Sequence, residues 1–212
     1  MELGNMQGVL TVAEEMGSDV LELFSESMEY VPYLGRFIQT VKFNRLQRRM
    51  EENSLQLKRI SQLASSSTLA EDYIKKRIFP IVLGDMIEEH ESAKINLLLN
   101  GFENVFINEK KDESIVINYY DTLRNLRYED IMRFYYLMGI TDTYNNPHIL
   151  SEEAAFILSI DNKLERYELV RVHRKLGLHG EPITVKPSNV EKTAYGMKFF
   201  SFISLDEENV AE

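Results

Sequence analysis

The sequence predicts a mainly α-helical fold: a helical N-terminal section at residues 1–112, a winged-helix-like α/β module at 113–205, and an acidic tail at 206–212. Three observations predict it. Apolar residues before position 165 recur at helical spacing almost throughout. The period then changes from 3.6 to 2 at ELVRVHR, where Leu169, Val170 and Val172 mark a strand. After it, KLGLHGEP reads as a turn, ITVKP as a return strand, and TAYGMKFFSFIS as a closing helix opened by Thr193, with Phe199, Phe202 and Ile203 as its buried edge.

The helical elements follow in order. In QTVKFNRLQRRMEENSLQLKRISQLASSS, residues Leu46, Met50, Asn53, Leu57, Ile60 and Ala64 keep the alternating four-and-three spacing of a coiled-coil seam with one polar position, Asn53. The seam lasts under three heptads, so it predicts a bundle helix with a partner helix against it. SSSTLAED is a break and a restart, with Ser67 or Thr68 as the N-cap and acidic residues in the first turn. Pro80 interrupts YIKKRIFPIVLGDMI, which leaves two helices or one kinked helix open. Val82, Met86, Ile95, Leu98, Phe102, Val105 and Phe106 carry the helical spacing onward to the polar NEKKDES, the expected domain boundary. ESIVINYYDTLRNL and RYEDIMRFYYLMG follow as amphipathic helices, the second closed by Gly139. TDTYNNPH is turn chemistry, and SEEAAFILSIDNKLER is a helix capped by Ser151, with Ala155, Leu158, Asn162 and either Leu164 or Glu165 expected inward.

Composition narrows the function classes. A hydrophobic fraction of 44% and a charged fraction of 27% are those of a chain that buries a sizeable core. With no Cys, the chain has no disulfide, thiolate metal site or Cys nucleophile. No apolar run approaches the roughly 18–20 residues of a membrane span, and the N-terminus has no basic segment ahead of its short apolar piece, so a cytoplasmic protein is expected. Charge is segregated: residues 1–35 hold seven acidic groups and no Lys or Arg, whereas 36–59 hold seven basic groups against Glu51 and Glu52. Adjacent blocks of opposite sign favour packing of the two segments within a chain or between chains. This places Arg45, Arg48 and Arg49 against the acidic segment of the same chain or a partner, and makes Leu46, Met50, Asn53, Leu57 and Ile60 the interface candidates of a homo-oligomer.

Catalytic constellations are not legible. No phosphate-binding glycine loop and no nucleophile elbow occurs. His90 is crowded by Asp85, Glu88, Glu89 and Glu91, but a ferritin-like metal helix needs Glu-x-x-His and position 87 is Ile. Glu109-Lys110-Lys111 matches the E-x-K tail of restriction-type nucleases without an acidic residue on an upstream strand. No catalytic residue, metal or cofactor is therefore assigned. For DNA, a winged helix offers Arg171, Arg174, Lys175 and Lys186 around its wing. The helix in the reading position instead leads with Glu152 and Glu153, and residues 127–204 hold ten acidic and ten basic groups. Affinity for DNA grows with the number of phosphates neutralised, so this balance disfavours it. The aromatic cluster around Tyr119, Tyr120, Tyr128, Phe134, Tyr135 and Tyr136 stands at helical spacing and reads as core rather than as a base-stacking surface.

The order of these elements, with IEEHESAKINLLLNGFENVF, INYYDTLRNLRYEDIMRFYYL and EKTAYGMKFFSFI, resembles the Abi-alpha family of bacterial and prophage proteins over about residues 35–205. The pieces that carry it are Tyr119, Leu123, Leu126 and Asp130, then Thr193 and Gly196. The resemblance implies a part in abortive infection of phage-infected cells and brings no catalytic residue with it. The expected function is a non-enzymatic phage-defence protein that binds another protein and self-associates. The alternative is a winged-helix transcription regulator.

Overall fold

The computed structural model describes residues 2–31, 36–144, 151–173 and 185–205. The chain is mainly helical. Its helices are α1 (Glu2–Met16), α2 (Ser18–Ser27), α3 (Arg36–Glu52), α4 (Ser54–Ser66), α5 (Glu71–Tyr73), α6 (Phe79–Glu88), α7 (Ala93–Ile107), α8 (Glu113–Asn125), α9 (Tyr128–Leu137), α10 (Glu152–Arg166) and α11 (Ala194–Ile203). Strands β1 (Val170–Val172) and β2 (Val190–Lys192) form one antiparallel pair, with Arg171 opposite Glu191. No helix among the described residues is long and apolar enough to cross a membrane. Two compact units emerge, Met1–Arg124 with Phe202–Glu212, and Asn125–Ser201. The division falls at 124/125, where the polar NEKKDES had suggested 112/113; residues 206–212 lie outside the described ones.

In the first unit the seam is spent inside the chain. Leu46, Met50, Leu57 and Ile60 are each at most 1% exposed, so they offer no surface for self-association in this conformation. The reason lies at Asn53. Its φ of −115° and ψ of 22° separate α3 from α4, and its side chain donates to the Arg49 carbonyl at 2.7 Å. The two halves of the stripe are then covered by different elements: α3 by α1 and α6, α4 by α2 and α7. A coiled coil needs one straight partner along the whole seam, and here no single helix follows it.

Pro80 sits inside a continuous run. Residues Ile74–Ile78 form a π-turn, in which the Phe79 N–H reaches back five residues to the Ile74 carbonyl. Pro80 has no N–H to donate, so the loosened turn leads into α6 without stranding a donor. Phe79 stacks on Phe102 with ring centres 5.0 Å apart and meets Phe24 edge-on at the same distance. Gly101 is required by close approach: a Cβ there would lie 2.7 Å from the Phe202 ring. Asn100 and Asn104 donate their side-chain amides to the carbonyls of Ile203, Phe202 and Ser204. Phe202 and Ile203 hold the last carbonyls of α11, which have no partner within the helix, and Ser204 follows directly after it.

In the second unit, α9, α10, the hairpin and most of α11 surround a core of Ile131, Phe134, Ile157, Ile160, Leu164 and Phe199. The inward face of α10 is Ile157, Ile160, Asp161 and Leu164. This corrects the expected stripe: Ala155, Leu158 and Asn162 are exposed. The buried Asp161 hid the true register, because a charge at a core position breaks an apolar pattern. Ser151 caps α10 as expected, accepting from the Ala154 N–H at 3.2 Å. Among the described residues the strand paired with β1 is Val190–Lys192; of the expected ITVKP, Ile183 and Thr184 lie outside the described residues, Val185 and Lys186 carry no strand pairing, and Pro187–Asn189 form a 3₁₀ turn. The T-x-x-G pattern is accounted for by backbone contact. Thr193 Oγ1 accepts from the Gly196 N–H at 2.8 Å, and a Cβ at Gly196 would lie 1.9 Å from the Leu169 carbonyl oxygen.

Candidate functional site

The basic residues of α3 mostly serve the end of another helix. Arg45 and Arg49 lie one turn apart. Arg45 donates to the Ile87 carbonyl at 3.1 Å, and Arg49 donates to the carbonyls of Met86 and Glu89, the latter at 2.7 Å. These carbonyls end α6, where they lack intrahelical partners and the helix dipole is negative. Burial, with Arg45 beside it, lowers the Arg49 pKa from its ordinary value. Arg48 pairs with Glu52 on its own helix, both more than half exposed. The acidic N-terminal segment does pack on this region, α1 on α3 and α2 on α4. Its carboxylates Glu22 and Glu26, however, bond Lys75 instead of the arginines.

Two clusters that looked like metal chemistry are held by protein cations or amides. Glu22, Glu26 and Glu71 bring carboxylate oxygens close enough to share an ion, but Lys75 Nζ stands among them at 2.6, 3.2 and 2.6 Å. Burial lowers the Lys75 pKa, and bonds to Glu22, Glu71 and Glu26 outweigh it and raise it. Around His90, Glu89 accepts from the N–H groups of His90 and Glu91 at 2.7 and 2.9 Å and pairs with Lys94 at 2.5 Å. Asp85 is bonded through both oxygens by Arg124, at 2.7 and 3.1 Å. Glu109 of the E-x-K stretch binds the Ser67 hydroxyl and both the N–H and hydroxyl of Thr68, fixing the loop after α4.

A cleft of about 740 Å³, with no counterpart among the sequence expectations, lies along α6 and α8. Pro80, Ile81, Ile87, Leu98 and Ile117 supply apolar lining, and Lys76, Arg77, Glu88, His90, Glu113 and Arg124 charged or polar lining. The π-turn places Lys76 and Arg77 at one end, and the C-terminus of α6 places Glu88 and His90 at the other. Burial pushes the Asp85 carboxyl above its ordinary value despite Arg124. Two signals pointed here: the Lys-Lys-Arg run ahead of Pro80, and Gly84 in the middle of a helix. A Cβ at Gly84 would meet nothing within 4 Å.

In the second unit, the residues proposed for DNA are only partly on view. Arg171 is exposed and bonds Glu191 across the hairpin at 3.3 Å. Lys186 is exposed beside the Pro187–Asn189 turn. Arg174 and Lys175 lie outside the described residues. On α10, Lys163 is tied to the buried Asp130 at 2.6 Å. The exposed residues of that helix include Glu152, Glu153, Ala155, Phe156 and Leu158. No family model, curated protein or solved structure matches the chain.

Proposed function

We propose that this is a non-enzymatic protein of the abortive-infection type, as the resemblance to the Abi-alpha family implies, acting by protein–protein contact and self-association. The order of α9, α10, the β1–β2 hairpin and α11 suits a winged-helix-like module turned to protein binding. One observation carries this reading. The helix in the reading position exposes Phe156, at 48%, and Leu158, at 38%, on different sides of the helix after two glutamates. Exposed aromatic and aliphatic side chains on one helix suit contact with another protein, whereas phosphates would meet Glu152 and Glu153 first. Self-association thus belongs to α10 in this proposal, not to the buried seam.

The test is the double variant Phe156→Glu, Leu158→Glu in the full chain. Light scattering across a concentration series should read an oligomer for the parent and a monomer for the variant, with unchanged melting. In phage-challenged bacteria the parent should cut plaque numbers and the variant should not. A parent that is monomeric and gives no protection ends the proposal. The regulator alternative draws on the exposed Lys186 and Arg171. It requires duplex-DNA binding that weakens steeply between about 50 and 200 mM salt.

A further inference from the structure

We propose that the α6–α8 cleft binds a small anionic amphiphile: an apolar chain or ring body carrying a carboxylate-type head. This is independent of the α10 reading. Size is the first argument, since about 740 Å³ falls within the roughly 300–1,000 Å³ of small-molecule pockets. The apolar lining of Pro80, Ile81, Leu98 and Ile117 suits the body.

The head is identified by which polar groups are already used. Each carboxylate of the lining accepts from a cation: Asp85 from Arg124, Glu88 from Lys42, Glu89 from Lys94 and Glu113 from Arg77. The second oxygens of Glu88 and Glu113 stay open, but on carboxylates already neutralised. The donors keep more capacity. Arg77 uses Nε and Nη2 on Glu113 and leaves Nη1 without a bond among the described residues. Lys76 Nζ makes a single ion pair, to the exposed Asp72 at 2.7 Å. Tyr30, 46% exposed, lines the same end of the cleft, and no described residue bonds its hydroxyl. Lys76 and Arg77 on the π-turn, with Tyr30 beside Lys76, thus give the cleft three donors, and π-turns recur at functional sites.

Gly84 is the independent observation. A glycine within a helix is less stable there than alanine, and no neighbour in the fold demands one, since the space around its missing Cβ is empty. What glycine preserves at this position is the floor of the cleft. A ligand body lying across α6 explains that choice.

The experiment is calorimetric titration of the full chain with decanoate and, as the same tail with the opposite head, decyltrimethylammonium. Decanoate should bind saturably at one site, at least about tenfold more tightly than the ammonium. Gly84→Leu should weaken decanoate binding at least about tenfold by filling the floor. Lys76→Gln with Arg77→Gln should weaken decanoate while leaving the ammonium unchanged. Melting curves of each variant establish that it is folded. Equal binding of the two heads, no saturable decanoate binding, or binding indifferent to Gly84→Leu would each overturn the proposal.

Discussion

Two arginines sit at the centre of the two units, each fully enclosed, and they are held in opposite ways. Arg49, 2% exposed, faces backbone carbonyls at the end of α6. Arg133, with no exposed surface, meets Asp161 through two bonds of 2.8 and 3.0 Å and the Val185 carbonyl at 2.9 Å. The rings of Tyr136 and Tyr144 lie 5.2 and 4.9 Å from its guanidinium carbon. One cation is balanced mainly by oriented dipoles, the other by a buried charge. The difference determines what is stranded when the arginine goes: carbonyls in the first unit, a carboxylate in the second.

The largest effect should therefore come from Arg133→Met. It leaves Asp161 buried without its cation, at a cost of about 3–5 kcal/mol. Adding Asp161→Leu should restore much of the loss, because the stranded charge leaves too. Urea unfolding of the single and double variants measures both. If the double variant is no better than the single, the pair is not the unit that matters.

Arg49→Met should cost less, about 1–3 kcal/mol, the penalty for carbonyls that lose a partner. A loss as large as that of Arg133→Met would erase the contrast between the two sites. Glu89 sharpens the comparison through pH. Burial raises its pKa, but Lys94 and the N–H groups of Glu91 and His90 prevail and hold it below its ordinary value of 4.5. A carboxyl lowered on folding contributes stability above its unfolded pKa and loses it as pH falls through the folded one. The parent should accordingly lose more stability than Glu89→Gln between about pH 7 and pH 3, read from urea midpoints. The smallest effect is Gly84→Ala, a gain of roughly 0.5–1 kcal/mol from a stiffer α6. In the Arg49→Met background the same gain should appear and offset part of the loss, since a Cβ at Gly84 touches neither Arg49 nor the carbonyls it serves.

Much of this fold was legible as local pattern. The change of period near residue 169 located the first strand, Ser151 and Thr193 marked the starts of α10 and α11, and the apolar spacing of the seam named residues that are indeed buried. Local pattern failed where a charge occupied a core position. Asp161 displaced the reading of α10, and Arg49 was expected against the acidic N-terminal segment because nothing in its neighbours in sequence signals the carbonyls that await it. The α6–α8 cleft was invisible for a related reason: a concavity belongs to several segments at once, and only Gly84 and the run before Pro80 hinted at it.

The sequence by itself determined that the chain is mainly helical, where α8 to α11 start, and that acidic and basic blocks adjoin, because these follow from residue spacing and the backbone chemistry of single segments. Which face of each helix meets which neighbour was decided only by the tertiary structure. The seam of α3 and α4 became core, Arg45 and Arg49 of α3 became the cap of α6, and the E-x-K loop became a brace for Ser67 and Thr68. Burial and pairing depend on side chains brought together from distant positions, and no local spacing carries that information.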